Sequence, residues 1–341
     1  MTAASRRAVA EGMAMWANPS SPHAEGRAAR AALERARSAI AAAYGWTGET
    51  ILTSGASESL AIALGRSVAM RRIVSAVEHD AVFRAAPDAT TMAVGRDGLV
   101  DLASLATLSG DAVVAVQWAN SETGVRQPIA RIAAAVHAAG GLLLVDAAQM
   151  PAGLDADVVA HADFVALSAH KRGGPPGIGA LLVRDLATLL PSGGQERGYR
   201  SGTENLPAAL GYAAALAEPE DVAAMARLRA RLDDAIARSG GDVVAAHQAR
   251  HPAIGSYRLS GVAATTQLIR LDLAGFAVSA GSACSSGSMK PSHVLAAMGW
   301  DEAASREVIR VSFGRSTTEH DIDAFIAAWR TMARAVRTFA A

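Results

Sequence analysis

The chain has 341 residues, 51% hydrophobic and 19% charged, which is ample for a packed core in one large domain or two and leaves no case for disorder. Acidic and basic side chains balance at 32 each, so neither nucleic acid nor an anionic membrane is an expected partner. No apolar run approaches the roughly 18–20 residues of a membrane span, and the first twenty residues carry Arg6, Arg7 and Glu11 with no hydrophobic signal segment, so the expectation is a cytoplasmic protein.

In chain order, an amphipathic helix is predicted over 24–43, with Leu33 and Ile40 on one face and Arg27, Glu34 and Arg37 elsewhere. Short apolar runs then alternate with helical stretches, the pattern of βα units on a mostly parallel sheet. The runs 51–53, 73–76, 113–116, 142–145 and 164–167 suit strands buried on both faces. Each opens into small or polar groups. Ser54, Gly55, Ala56 and Ser57 follow the first run, Glu78, His79 and Asp80 the second, and Asn120, Ser121 and Glu122 the third. Asp146, with Gln149 close behind, ends the fourth, and Ser168, His170 and Lys171 follow the fifth. Open α/β sheets bind ligands beyond the carboxyl ends of their strands, so this edge is the candidate site. Past a glycine-rich stretch around 190–201, helix is predicted over 207–239, strands at 243–246 and 268–271, and a closing helix from about Thr318. The pattern predicts a large α/β domain over 18–215 and a smaller α+β domain over 216–341, with residues 1–17 packing on the smaller one.

Lys171 and Lys290 are the only lysines, so every other basic residue is arginine. Arginine cannot be deprotonated and cannot act as a nucleophilic amine. Lys171 lies in SAHKRGGPPGIGAL, directly after a strand: it is either a solvated residue beside a loop or an amine that forms a Schiff base with a carbonyl cofactor. A P-loop is excluded, because no GxxxxGK[ST] exists here. Asp146 closes GLLLVD, where a buried carboxylate must be paired. It meets a nearby arginine or the pyridinium nitrogen of pyridoxal phosphate (PLP), which it would keep protonated as an electron sink. Ser54 to Ser57 would offer helix N-terminal N–H groups and hydroxyls to a phosphate. Lys290, just before a helix in SMKPSH, is expected to be a solvated surface residue. Cys284 is the only cysteine, which excludes an intrachain disulfide or a zinc–thiolate cluster. Its neighbours, GSACSSG, are small and without apolar packing partners, which suits an accessible thiol.

These residues resemble the NifS/IscS-like cysteine desulfurases, class V aminotransferase-family enzymes of PLP fold type I. The resemblance covers nearly the whole chain from about Asn18, through ANPSSPH, ILTSGASESLAI, VEHDAV, WANSETGVRQPI, LLLVDAAQ, LSAHKRGGPPGIGALLV, GGQERGYRSGTEN, GSACSSG and IRVSFGR. It implies a fold-type I PLP-dependent transferase, with a mostly parallel central sheet in the large domain and an α+β C-terminal domain. Lys171 would hold PLP covalently, Asp146 would pair with the ring nitrogen, Gln149 would reach the ring hydroxyl and His79 would stack on the ring. Ala56, Ser57, Ser168 and His170 would bind the phosphate, with Thr203 donated from the other subunit of a homodimer. Arg310, with Asn120 and Ser121, would bind the substrate, and Cys284 would accept sulfur as a persulfide. The implied reaction turns L-cysteine into L-alanine and feeds a sulfur-acceptor or scaffold protein for iron–sulfur cluster or thio-cofactor synthesis.

Two departures stand out. The family usually opens with a short strand carrying an Asp and an Ala-Thr-Thr turn, whereas this chain begins MTAASRRAVAEGM. Either the start lies upstream or one wall of the pocket differs. Ser121 stands where an asparagine commonly meets the cofactor hydroxyl and the substrate. The rival readings are another fold-type I activity, a selenocysteine lyase or an aminotransferase, and a non-catalytic scaffold homologue.

Overall fold

The computed structural model describes residues 1–105, 110–281 and 291–340. It divides into two compact units, one of Met1–Met92, Leu102–Trp118 and Pro128–Pro219, the other of Ala93–Asp101, Ala119–Gln127 and Glu220–Ala341. The first comprises α1 (Ala3–Ala14), α2 (Ala24–Ala43), β1 (Glu49–Thr53), α3 (Ala56–Arg66), β2 (Arg71–Ser75), α4 (Asp80–Ala85), β3 (Thr90–Met92), β4 (Ala112–Gln117), α5 (Ile129–Ala138), β5 (Leu142–Asp146), α6 (Ala156–His161), β6 (Phe164–Ser168), β7 (Gly179–Val183) and α7 (Leu206–Leu216).

Its seven strands lie in the order β1-β7-β6-β5-β4-β2-β3. The pairs β2–β3, β2–β4, β4–β5 and β5–β6 are parallel, and β7 runs antiparallel to both β1 and β6. Strands β1 to β6 therefore point the same way, and their carboxyl ends form one edge. Every position of β4, β6 and β7 is buried, which explains their continuous apolar runs. The five strands expected in this region are present within two residues of their expected bounds, and β3 and β7 join them.

Helix α2 buries Ala29, Ala32, Leu33, Ala36 and Ile40 along one stripe. Arg37, expected on its polar face, is instead buried and ion-paired with Glu196. It also donates to the Thr50 carbonyl (2.9 Å), while Glu196 accepts from the Leu52 N–H (2.8 Å), so the pair ties α2 to β1. Removing one member of such a pair costs about 3–5 kcal/mol, because the other charge stays buried. Residues 1–17, expected on the smaller domain, contribute α1 to the first unit. The absent side chain of Gly12 lets α1 approach α7, since a Cβ there would lie 2.8 Å from Pro207 Cα. The Thr2 N–H bonds the Gly173 carbonyl at 2.8 Å.

The second unit comprises α8 (Val222–Arg238), β8 (Asp242–Val243), β9 (Ile254–Arg258), α9 (Ala264–Leu273), β10 (Ser279–Ala280), α10 (His293–Ala297), α11 (Glu302–Ser305), β11 (Val308–Ser312) and α12 (Glu319–Ala340). An antiparallel sheet in the order β10-β11-β9-β8 packs on helices around Leu232, Ile236, Tyr257, Ile309, Phe325 and Trp329. Three expectations are corrected here. The helix predicted over 207–239 is two helices, broken where Pro219 removes a backbone donor and Asp221 caps α8 through the Ala224 N–H (2.8 Å). The strand predicted at 268–271 lies inside α9, whose buried Ala264, Gln267 and Leu271 follow the helical period. The strand predicted at 243–246 shortens to β8, because Ala245 adopts φ +51° and leaves the extended region. Among the described residues no helix is long and apolar enough to cross a membrane.

Candidate active site

The strand edge of the first unit carries its chemistry after three strands, β5, β6 and β2, of which β5 and β6 are neighbours. Asp146 is the last residue of β5, buried, with Oδ1 accepting the Ala148 N–H at 3.0 Å. Lys171, half-buried, lies in the turn after β6. His79 follows β2 and caps α4, its Nδ1 accepting the Ala81 N–H at 3.1 Å. That bond fixes the ring and leaves the proton on Nε2.

Electrostatics link the three. Burial holds the His79 imidazole below its ordinary range and the charge of Lys171 lowers it further, while Asp146 and Asp80 act in the opposite sense. His170 is likewise lowered, first by burial and then by Lys171. Both imidazoles are therefore neutral near pH 7. An amine and a carboxylate thus both act on one neutral ring at the same sheet edge.

A candidate phosphate cradle lies at the start of α3. Helix α3 begins at Ala56 after Gly55, with no side chain capping its N-terminus, and the first N–H groups of a helix have no intrahelical acceptor. Gly55 has φ +150°, and the space a Cβ would enter is open. Glycine at 179 permits the approach of this loop to β7, since a Cβ there would lie 2.4 Å from the Leu167 carbonyl oxygen and 2.6 Å from Gly55 Cα. Ser57 at this helix start is exposed, and Ser168 Oγ and His170 Nδ1 are 2.9 Å apart at the end of β6. Open N–H groups and hydroxyls suit a phosphate, and a carboxylate and an amine suit the two ends of a pyridine aldehyde. These residues fit PLP.

The model of class-V aminotransferases matches residues 4–325. This chain belongs to that family. Within the class-V aminotransferases it is similar to the cysteine desulfurase IscS of Anaeromyxobacter sp. (strain Fw109-5), 37% identical over 332 residues, 89% of this chain and 82% of that protein. It is similar in structure to a NifS-like protein from Rickettsia africae ESF-5, with a TM-score of 0.88 at 29% identity over 97% of this chain and 96% of that one. It also resembles SspA, solved in complex with cysteine, with a TM-score of 0.81 at 27% identity over 93% of this chain and 97% of that one. The expected fold class stands: this is a fold-type I enzyme of the cysteine desulfurase kind, and its cofactor is PLP.

The second unit holds other expected residues. Arg310, on β11, donates from Nη1 to the Ser121 carbonyl (3.0 Å) and from Nη2 to Ser279 Oγ (3.1 Å), so its guanidinium is held in a fixed direction. Asn120 is buried, and its Oδ1 accepts from the N–H groups of Glu122 (2.9 Å) and Thr123 (2.8 Å). That oxygen shapes the turn carrying Ser121. In the first unit, Gln149 is half-buried in the loop after β5, and Thr203 is exposed. Cys284 and Lys290 lie outside the described residues. The sequence reading did not single out Gly179 or Ser279. No motif marks Ser279, whereas Gly179 could have been noticed as the glycine opening a strand opposite the SGAS loop.

Proposed function

We propose that this chain takes the sulfur of L-cysteine onto Cys284 as a persulfide, releases L-alanine, and works as a cytoplasmic homodimer that passes the sulfur to an acceptor or scaffold protein for iron–sulfur cluster or thio-cofactor synthesis. The observation that carries the reading is that Lys171 and Asp146, at the neighbouring ends of β6 and β5, both act on the His79 ring, which follows β2 at the same sheet edge. Bound PLP supplies an electron sink for the pair left at the substrate Cα.

The residues have separate tasks. Lys171 Nζ would hold the cofactor and would be the base that moves the substrate Cα proton. Asp146 would keep the pyridine nitrogen protonated, and Gln149 would bond the ring hydroxyl. His79, neutral and with its Nδ1 occupied by the Ala81 N–H, would stack on the ring. Ala56, Ser57, Ser168 and His170 would bind the phosphate. Thr203 of a second copy adds to this set, and its exposure in a single chain supports that role. Arg310 pairs with the substrate carboxylate, its direction set by Ser121 and Ser279.

The Cys284 thiolate attacks the substrate sulfur. An S–S bond forms, the C–S bond breaks with its electron pair left on carbon, and that carbon takes up a proton to become the methyl group of alanine. A persulfide is a reversible thiol cap, and the reducing cytoplasm is where such a carrier remains usable.

Mass spectrometry of the intact protein after L-cysteine treatment tests this reading. One added sulfur on the Cys284 peptide is expected. Full release of sulfide from L-cysteine by Cys284→Ala, with reductant present, would overturn it and favour a lyase that needs no protein thiol.

A further inference from the structure

The Ser121 carbonyl, which takes Arg310 Nη1 at 3.0 Å, sits on a turn held by residues with no task in the chemistry above. Glu122, the next residue, is where those holds meet. Its N–H donates to Asn120 Oδ1 (2.9 Å), and its carbonyl accepts from Ser256 Oγ (2.7 Å). Its carboxylate oxygen Oε2 accepts from Ser292 Oγ. Ser256 and Ser292 are each only 2% exposed, so these hydroxyls are shielded from bulk water.

Strand register explains how two of the holds coincide. Ser256 of β9 lies directly opposite Arg310 of β11. Opposite residues of an antiparallel pair put their side chains on one face, about 4.5–5.5 Å apart. This pair reaches the turn with two donors, the guanidinium on the Ser121 carbonyl and the hydroxyl on the Glu122 carbonyl that follows it. Glycine at 124 lets the turn lie so close to β9: its φ is +77°, and a Cβ there would stand 2.6 Å from the Ile254 carbonyl oxygen. Ser292 ties the turn to a third element, since the same hydroxyl accepts the Leu295 N–H (3.0 Å) and caps α10. Arginine carries its planar fork on a long stem, so the acceptors on its η nitrogens decide where the fork points. A guanidinium aimed by a carbonyl is only as fixed as that carbonyl.

We propose that Ser256 and Ser292 are positioning residues for substrate capture, acting through Glu122: they lock the turn whose Ser121 carbonyl aims Arg310 at the substrate carboxylate. This rests on the reading of Arg310 as the partner of that carboxylate. The lock favours ligands that carry a free carboxylate and is indifferent to the rest of the ligand.

The test compares two ligands on the full-length holoenzyme, L-alanine and L-alaninamide, in which an uncharged amide replaces the carboxylate. Dissociation constants are read from the bound cofactor's visible absorbance. Ser256→Ala and Ser292→Ala should each weaken L-alanine about 5- to 10-fold, the worth of one hydrogen bond, and leave L-alaninamide within about twofold. In Arg310→Ala no guanidinium remains to be aimed, so adding Ser256→Ala should cost nothing further. Equal weakening of both ligands marks a general disturbance and overturns the proposal. Unchanged L-alanine affinity in either serine variant overturns it too, as do losses that multiply in the double variant. Ser292 also caps α10, so Ser256→Ala decides the matter if Ser292→Ala does not fold. Arg310→Ala alone separates the two levels. Loss confined to L-alanine upholds the reading of the arginine whatever the serines do, whereas an equal response to both ligands overturns that reading and the proposal with it.

Discussion

His79, Asp146 and Lys171 stand at the ends of parallel strands whose backbone ladders fix their positions, whereas Arg310 stands within antiparallel β11 and is fixed by its own bonds to Ser121 and Ser279. In the first unit the fold itself delivers the chemistry, because every strand from β1 to β6 points its carboxyl end at one edge. In the second unit the sheet supplies only an anchor, and side-chain hydrogen bonds aim the guanidinium. On the proposed reading this is a division of labour, with the strand-end groups acting on bond breaking and the aimed arginine on capture.

Substitutions should separate these two effects. Asp146→Asn is expected to give the largest change, lowering kcat by about 10²–10³-fold with little effect on KM, as removal of a preorganised charge does. Steady-state kinetics with L-cysteine check this, and a change confined to KM would break the distinction. Arg310→Lys should do the reverse, raising KM by roughly 10- to 100-fold with kcat nearly kept, since a bidentate pair is lost and a charged hydrogen bond is worth about 1.5–3 kcal/mol. Gly179→Ala, read by PLP titration of the apoprotein, should weaken cofactor binding about tenfold, because the added carbon meets the Leu167 carbonyl oxygen and Gly55. The smallest effect is in the pH profile. Burial and Lys171 both disfavour protonated His79, so the acid-side inflection of kcat/KM should fall below the ordinary histidine value of 6.5. An inflection above 6.5 would mean that Asp146 and Asp80 prevail over them.

Much of the first region could be read from the residues alone. An apolar run ending in Asp146 or Ser168 carries both its strand assignment and its functional edge, since burial on two faces and a polar terminus are local features. Arg37 was misread because helical periodicity reports which face is apolar, not whether a distant carboxylate such as Glu196 waits to receive a charge there. The second region gave less. The run 268–271 is as short as a strand, and only the burial of Ala264, Gln267 and Leu271 at helical spacing reveals α9. The actual strands β9 and β11 interrupt their apolar residues with Ser256, Arg258 and Arg310, so hydropathy hides them. Arg310 stands among thirty arginines, and only its motif singled it out.

Borohydride reduction of the holoenzyme followed by peptide mass spectrometry tests the central claim most directly, because reduction makes an amine–aldehyde linkage permanent. The account predicts the mass of reduced PLP on the peptide containing Lys171, absent from Lys171→Ala and unchanged in Lys290→Ala. Cofactor mass on Lys290, or none on either lysine in protein that retains bound PLP, would contradict it.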